Sequence, residues 1–298
     1  MFQRMGIFVF WVLAFLIALP AKAGDTTAWV NPIEEDIRCF AAVSTSNYPS
    51  FSPDGTELAF ISDITGRYQI WTVPTAGGFP RLVTTGDTSV QDAAWSPVDK
   101  NTIAFGTGQG SLEAQIYTIR PDGTNLKLLS PGGKTRTDGP VWMADGKDIV
   151  ASSNYSSGAA SGVMRGCLLN PLTGAQQTLS NNIRSVRLLA VSNDRRYALN
   201  AYFTSFNDAE VYLLDIASKK ETPVFPGRPA AHIYGTFGAD SRSLYLISNT
   251  LSDMSSLLQV KILDDGSLSP PEILASRENS DFYGRYQGMD ILNPQGTQ

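Results

Sequence analysis

Short apolar runs separated by turn-forming residues fill most of the chain, and the first complete example spans Tyr48 to Thr84. Phe51 lies on a predicted first strand, Ser52-Pro53-Asp54-Gly55 makes a tight turn, and Leu58-Ala59-Phe60-Ile61 is an apolar second strand. A loop at Asp63–Arg67 leads to a third strand over Tyr68–Val73. Ala76-Gly77-Gly78 turns the chain again, and Arg81–Val83 is a polar outer strand. Proline presets the backbone angle of such turns, and glycine supplies the positive φ that bulkier residues resist. The second strand is apolar at consecutive positions and does not alternate, which is the pattern of a strand covered on both faces.

The same paragraph of sequence recurs. Trp95-Ser96-Pro97 precedes Ile103-Ala104-Phe105, and Trp142-Met143-Ala144-Asp145-Gly146 precedes Ile149-Val150. Val191-Ser192-Asn193-Asp194 precedes Tyr197-Ala198-Leu199, and Phe237-Gly238-Ala239-Asp240 precedes Leu244–Ile247. A sixth unit opens at Ile291-Leu292-Asn293-Pro294-Gln295-Gly296 and stops just past its turn, which predicts a truncated sequence or an unusual closure. With positions 53, 97, 144, 193, 239 and 294 as equivalents, the spacings are 44, 47, 49, 46 and 55. A period near 45 residues with four strands per unit predicts an all-β fold, a β-propeller of four-stranded blades. Five blades are recognisable, over about 46–86, 89–131, 138–181, 184–227 and 230–276; a partial one covers 281–298. The sixth is either incomplete or closed with the N-terminal segment, for which residues 28–43 are the candidate because closure hides the edges an open sheet exposes. The Ser/Gly/Ala stretch Ser152–Gly162 falls between the second and third strands of unit three and is expected to be an elongated blade loop.

The N-terminal residues are a separate object. Arg4 precedes an uncharged apolar run of 14 residues from Gly6 to Leu19, and Pro20 and Ala21-Lys22-Ala23 follow. This predicts a signal peptide over 1–23, cleaved after Ala23, and a periplasmic or secreted protein that meets the membrane only through its export signal. Residues 24–45 are a lead-in in which Trp29-Val30 and Ile37–Val43 fit a strand or a short helix. Removal of Arg4 and Lys22 moves the formal charge from −5 to −7. So acidic a protein lacks the electrostatic footprint of a nucleic-acid binder. The two cysteines, Cys39 and Cys167, could pair in an oxidising compartment, but two buried free thiols is the simpler reading, since a large β core needs no staple.

The chain offers no complete catalytic set. A serine hydrolase needs a nucleophile elbow, usually G-x-S-x-G, and a histidine base. The nearest string, Gly158-Ala159-Ala160-Ser161-Gly162, has the wrong spacing, and the lone histidine, His232, reads as structural or surface. Gly132-Gly133-Lys134-Thr135 mimics the end of a phosphate-binding loop but has Leu128 where the first glycine belongs. Gly106-Thr107-Gly108-Gln109-Gly110 mimics a dinucleotide fingerprint but continues with Ser111 and Leu112. One histidine and two distant cysteines make no zinc site, and the Asp-Gly pairs read as turn formers, so no cofactor and no metal are expected. A channel enzyme such as a lyase or lactonase would need converging ligands or acids, which makes it the weakest reading. Trp71, Trp95 and Trp142 fall where a blade core must be filled. The run Asp281-Phe282-Tyr283-Gly284-Arg285-Tyr286 fits either the propeller mouth or the closing seam.

Phe51-Ser52-Pro53-Asp54-Gly55 with Leu58-Ala59-Phe60 is similar to the TolB-like, WD-like propeller repeat, and Ile70-Trp71, Ala76-Gly77-Gly78 and Pro80–Thr84 extend the match. The same repeat builds the N-terminal propeller of prolyl oligopeptidase-type serine peptidases. The resemblance is specific to architecture and implies two lives. One is an exported, non-catalytic propeller that binds a protein, peptide or glycan. The other is the substrate-gating propeller of a secreted peptidase whose hydrolase domain lies outside this chain.

Overall fold

Ser52, Asp54 and Gly55 show why the marker turn recurs. The Gly55 amide donates to the Ser52 carbonyl at 2.8 Å with Gly55 at φ +70°. The Ser52 hydroxyl donates to Asp54 Oδ1 at 2.7 Å and accepts the Glu57 amide at 3.0 Å, so side chains close what the backbone begins. These bonds, with those from Thr56, hold the Asp54 carboxyl well below the usual carboxylate range. Ser192 and Asp194 repeat the device, with Arg195 at φ +59° in the glycine position.

Such turns join twenty strands in a computed structural model that describes residues 44–108, 113–156, 158–205, 208–230 and 233–282. Blade one contains β1 (Ser46–Phe51), β2 (Glu57–Ser62), β3 (Gln69–Pro74) and β4 (Arg81–Leu82). Blade two contains β5 (Val90–Trp95), β6 (Ile103–Thr107), β7 (Gln115–Ile119) and β8 (Lys127–Leu128). Blade three has β9 (Thr137–Trp142), β10 (Ile149–Ser156), β11 (Ala159–Leu169) and β12 (Gln176–Thr178). Blade four has β13 (Arg187–Val191), β14 (Tyr197–Ser205), β15 (Asp208–Asp215) and β16 (Glu221–Pro223). Blade five has β17 (Ile233–Phe237), β18 (Ser243–Ser248), β19 (Ser256–Lys261) and β20 (Glu272–Ala275). Each sheet is an antiparallel meander of four strands in chain order, and the five sheets stand as blades in a ring: the fold is a β-propeller.

The cores lie between blades, because a blade buries both faces of its middle strands only by packing on neighbours. Ala59, Ile61 and Ile70 of blade one meet Val90, Ile103 and Phe105 of blade two. Ile116 and Leu129 meet Ile149, Cys167 and Leu169 across the next interface. Leu168 and Leu179 meet Leu188 and Leu214, and Leu199 and Leu213 meet Leu246 and Leu258. Cys167 is a free, fully buried thiol, and burial pushes its pKa up to about 12. Trp95 is buried, whereas Trp71 and Trp142 are half-buried.

Two sequence expectations need correction. Ser152–Gly162 is not a loop: β10 and β11 run through it as a paired ladder, with Ser152 opposite Gly166 and Tyr155 opposite Ala160. Small residues of low strand propensity are held there by the partner strand. The consecutive apolar positions of β2 are not covered on both faces either; Leu58 and Phe60 are half-exposed while Ala59 and Ile61 are buried. Residues 1–43, which include the predicted signal peptide, the lead-in up to Val43 and Cys39, lie outside the described residues, as do His232 and 283–298.

Candidate partner-binding face

Two hairpins outgrow the blades that carry them. Strands β10 and β11 have 8 and 11 residues and β14 and β15 have 9 and 8, against 5 or 6 for the second and third strands of the other blades. The surplus lies at the end of each blade where the second strand passes into the third. Ser156, Ala159 and Ala160 are exposed there on blade three, and Phe203, Thr204 and Ser205 on blade four.

Aromatic and guanidinium groups converge at the base of these hairpins. The Arg184 guanidinium stacks over the Tyr202 ring at 4.5 Å and lies 3.3 Å from Glu210. Arg187 sits over the Phe203 ring at 5.8 Å. Arg136 Nε donates to both oxygens of Asp138 at 2.9 Å, and Arg165 Nη1 donates to Ser161 Oγ at 3.3 Å. Tyr202 donates its hydroxyl to the Glu221 carboxylate at 2.8 Å and packs edge-on against Tyr212 with centroids 5.3 Å apart. Burial and the Glu221 charge raise the Tyr202 pKa, so its hydroxyl stays a donor. The face thus presents arginine side chains, two of them over aromatic rings, a surface suited to extended polar ligands with apolar or anionic groups.

Asp92 lies at the same end of blade two. Its carboxyl packs against Gly106, where an added Cβ would come within 2.3 Å of Oδ1, and it accepts the Gly106 amide. Burial, reinforced by the nearby Asp138 charge, pushes its pKa up to about 7 against the pull of Arg187. Asp92, Asp138 and Arg187 lie on the first strands of three successive blades. Sequence reasoning did not connect them, although each falls four or five residues before the residue that opens its marker turn (Ser96, Met143 and Ser192). A separate cavity of about 310 Å³ between blades one and two is walled by Val83, Val90, Phe105, Tyr117 and Ile119 and bordered by Gln69.

Gly158–Gly162 lies at the exposed hairpin of blade three and Gly132–Thr135 in the link after β8, neither at a helix. Among the described residues no group of three or more His, Cys, Asp or Glu side chains is placed to hold a metal ion.

The fold defines the class, a β-propeller, and in fold it is similar to TolB and to the propeller of a prolyl endopeptidase. More particularly, residues 15–156 match the family described as the dipeptidyl peptidase IV (DPP IV) N-terminal region. The uncharacterized peptidase YuxL of Bacillus subtilis (strain 168) is 27% identical over 132 residues, which is 42% of this chain. The chain spans only 19% of YuxL's length in that match. TolB from Acinetobacter baumannii superposes with a TM-score of 0.52 at 15% identity, over 76% of this chain and 57% of TolB. Oligogalacturonate lyase from Vibrio parahaemolyticus gives 0.59 at 11% identity, over 74% and 66% of the two chains. A prolyl endopeptidase gives 0.56 at 14% identity, over 78% of this chain and 36% of its own. At these identities the structural likeness is one of fold alone.

Proposed function

We propose that this chain is an exported, non-catalytic propeller that binds a protein, peptide or glycan through the face from which the hairpins of blades three and four project. The observation that carries this reading is the pairing of Arg184 with Tyr202 and Arg187 with Phe203 on strands longer than a blade needs. Aromatic and arginine side chains dominate the energetics of recognition surfaces, and function on a propeller lives in such grafted features more than in the fold. Export places the protein in the periplasm or outside the cell, with Gly24 as its first residue; N-terminal sequencing of the protein recovered from periplasm checks this. The binding test is capture from a periplasmic extract by the intact chain and by a chain whose hairpin tips, 155–160 and 203–208, are each cut back to an Asn-Gly turn. A partner retained by the first and lost by the second is expected. Equal capture by both, or none by either, contradicts the reading.

The match to the DPP IV N-terminal region and to YuxL favours a second reading, the propeller portion of a secreted prolyl oligopeptidase-like peptidase. The hairpin face would then gate substrate, and the nucleophile and histidine would lie on another part of the protein. Reading the gene past the codon for Gln298 separates the two: a G-x-S-x-G elbow in frame supports the peptidase, and a stop codon removes it.

A further inference from the structure

The cavity of about 310 Å³ between blades one and two lies on blades other than those that carry the long hairpins. One wall is the link that leaves blade one, residues 83–88, and side chains hold it in place. The Thr84 hydroxyl donates to Gln69 Oε1 at 2.5 Å and accepts the Ile70 amide at 2.9 Å. Gln69 Nε2 donates to the Gly86 carbonyl at 2.9 Å. The wall is therefore pre-formed, and its buried polar groups are already satisfied. The other wall belongs to blade two. Phe105 on β6 stands opposite Tyr117 on β7, and their rings stack with centroids 5.5 Å apart and planes 21° from parallel. A blade does not need rings at these positions. Counted two residues on from the pairs Trp95–Ile103 and Trp142–Ile149, the corresponding pair on blade three is Ala151 and Cys167.

We propose that this cavity is a binding site for a small, flat, uncharged aromatic molecule of about two fused rings. Size comes first: an apolar cavity of about 150 Å³ holds one benzene ring, so this one has room for two. Val83, Val90, Phe105 and Ile119 are buried and make the interior apolar, while Thr88 and Leu126 are exposed at its border. No residue that lines the cavity is charged. Asp87, the charged residue of the 83–88 link, is fully exposed and lies 3.7 Å from Arg67. An ionised ligand would lose its hydration here and meet no opposite charge. A flat ring gains from the Phe105–Tyr117 pair beyond the area it buries, and the hydroxyls of Tyr117 and Thr88 can serve one polar group on it. Water in so apolar a space finds few partners and is readily displaced.

The test is a ligand-observed NMR titration of the full chain with indole and with its anionic analogue, indolecarboxylate. Indole is expected to bind saturably at one site with a dissociation constant of about 1 mM or tighter, and the carboxylate about ten-fold or more weakly. Two variants fill the space from its edge, Thr88→Trp and Thr107→Trp, and thermal unfolding shows that each is folded. Whichever of them folds decides the outcome, so the loss of one leaves the test intact. Indole affinity should fall about ten-fold or more in a folded filled variant. No saturable binding of indole, undiminished affinity in every folded filled variant, or a carboxylate that binds as well as indole overturns the assignment.

Discussion

Blades two and four share one plan and differ in where it stops. In blade two the second strand, β6, ends after five residues, four of them buried. In blade four the equivalent β14 runs on for nine; Tyr197–Tyr202 are buried and Phe203–Ser205 are exposed. The buried part of each strand is fixed by the neighbouring blade, since Leu199 lies under Gly235 of blade five much as Ile103 lies under blade one. The surplus is exposed, and Phe203 within it meets the Arg187 guanidinium. Blade two, with no such surplus, ends instead on the enclosed carboxyl of Asp92. The wedge is therefore a packing problem solved repeatedly, and the additions of blades three and four are where the proposed partner would be met.

That contrast can be broken most forcefully at Leu199. Leu199→Ala should cost about 2–5 kcal/mol, because a fully buried Leu leaves a cavity between two blades; urea unfolding measures it. Asp92 should give the next largest effect. Its folded pKa, about 7, stands above the ordinary 3.8, so the folded state holds the proton more tightly than the unfolded chain does. Stability is then full below about pH 4, falls as pH rises toward 7 and is level beyond, a loss on the order of 4 kcal/mol. Asp92→Asn should flatten that profile and be the more stable form at pH 8; thermal unfolding across pH checks both. Arg195 joins blades four and three through Asp145 at 2.9 Å and Asp148 at 2.7 Å while holding a φ of +59°. Arg195→Ala should cost about 1–2 kcal/mol, and Arg195→Gly less, since glycine relieves the backbone. The smallest effect is at Cys167, which burial keeps protonated. At pH 8 its thiol should stay unlabelled in the native protein and react once urea unfolds it, as read by mass spectrometry.

Blades were legible in the sequence because their turns use side-chain chemistry that composition reveals. Ser52, Pro53, Asp54 and Gly55 are visible as letters, and Ser192-Asn193-Asp194 keeps enough of them to be aligned. Hairpin length was not legible. Ser152–Gly162 has no β-branched residue and Tyr155 as its one aromatic, and its pairing comes from the opposing strand, which no local window contains. The half-exposed Leu58 and Phe60 were read as doubly covered, because an apolar run does not report how many neighbours a blade has. The candidate face was hidden for a third reason. Arg184, Tyr202, Glu210 and Glu221 are scattered in sequence and meet only when the strands of one blade pair side by side.

The central claim is that packing holds the blades while the surplus strands bind, and one titration tests it directly. The partner captured from periplasm is titrated against the intact chain and against a chain carrying Arg184→Ala and Phe203→Ala. The account predicts affinity weakened by about ten-fold or more with the unfolding temperature nearly unchanged, as expected for a recognition surface and not for a core. Undiminished affinity in the double variant would contradict it.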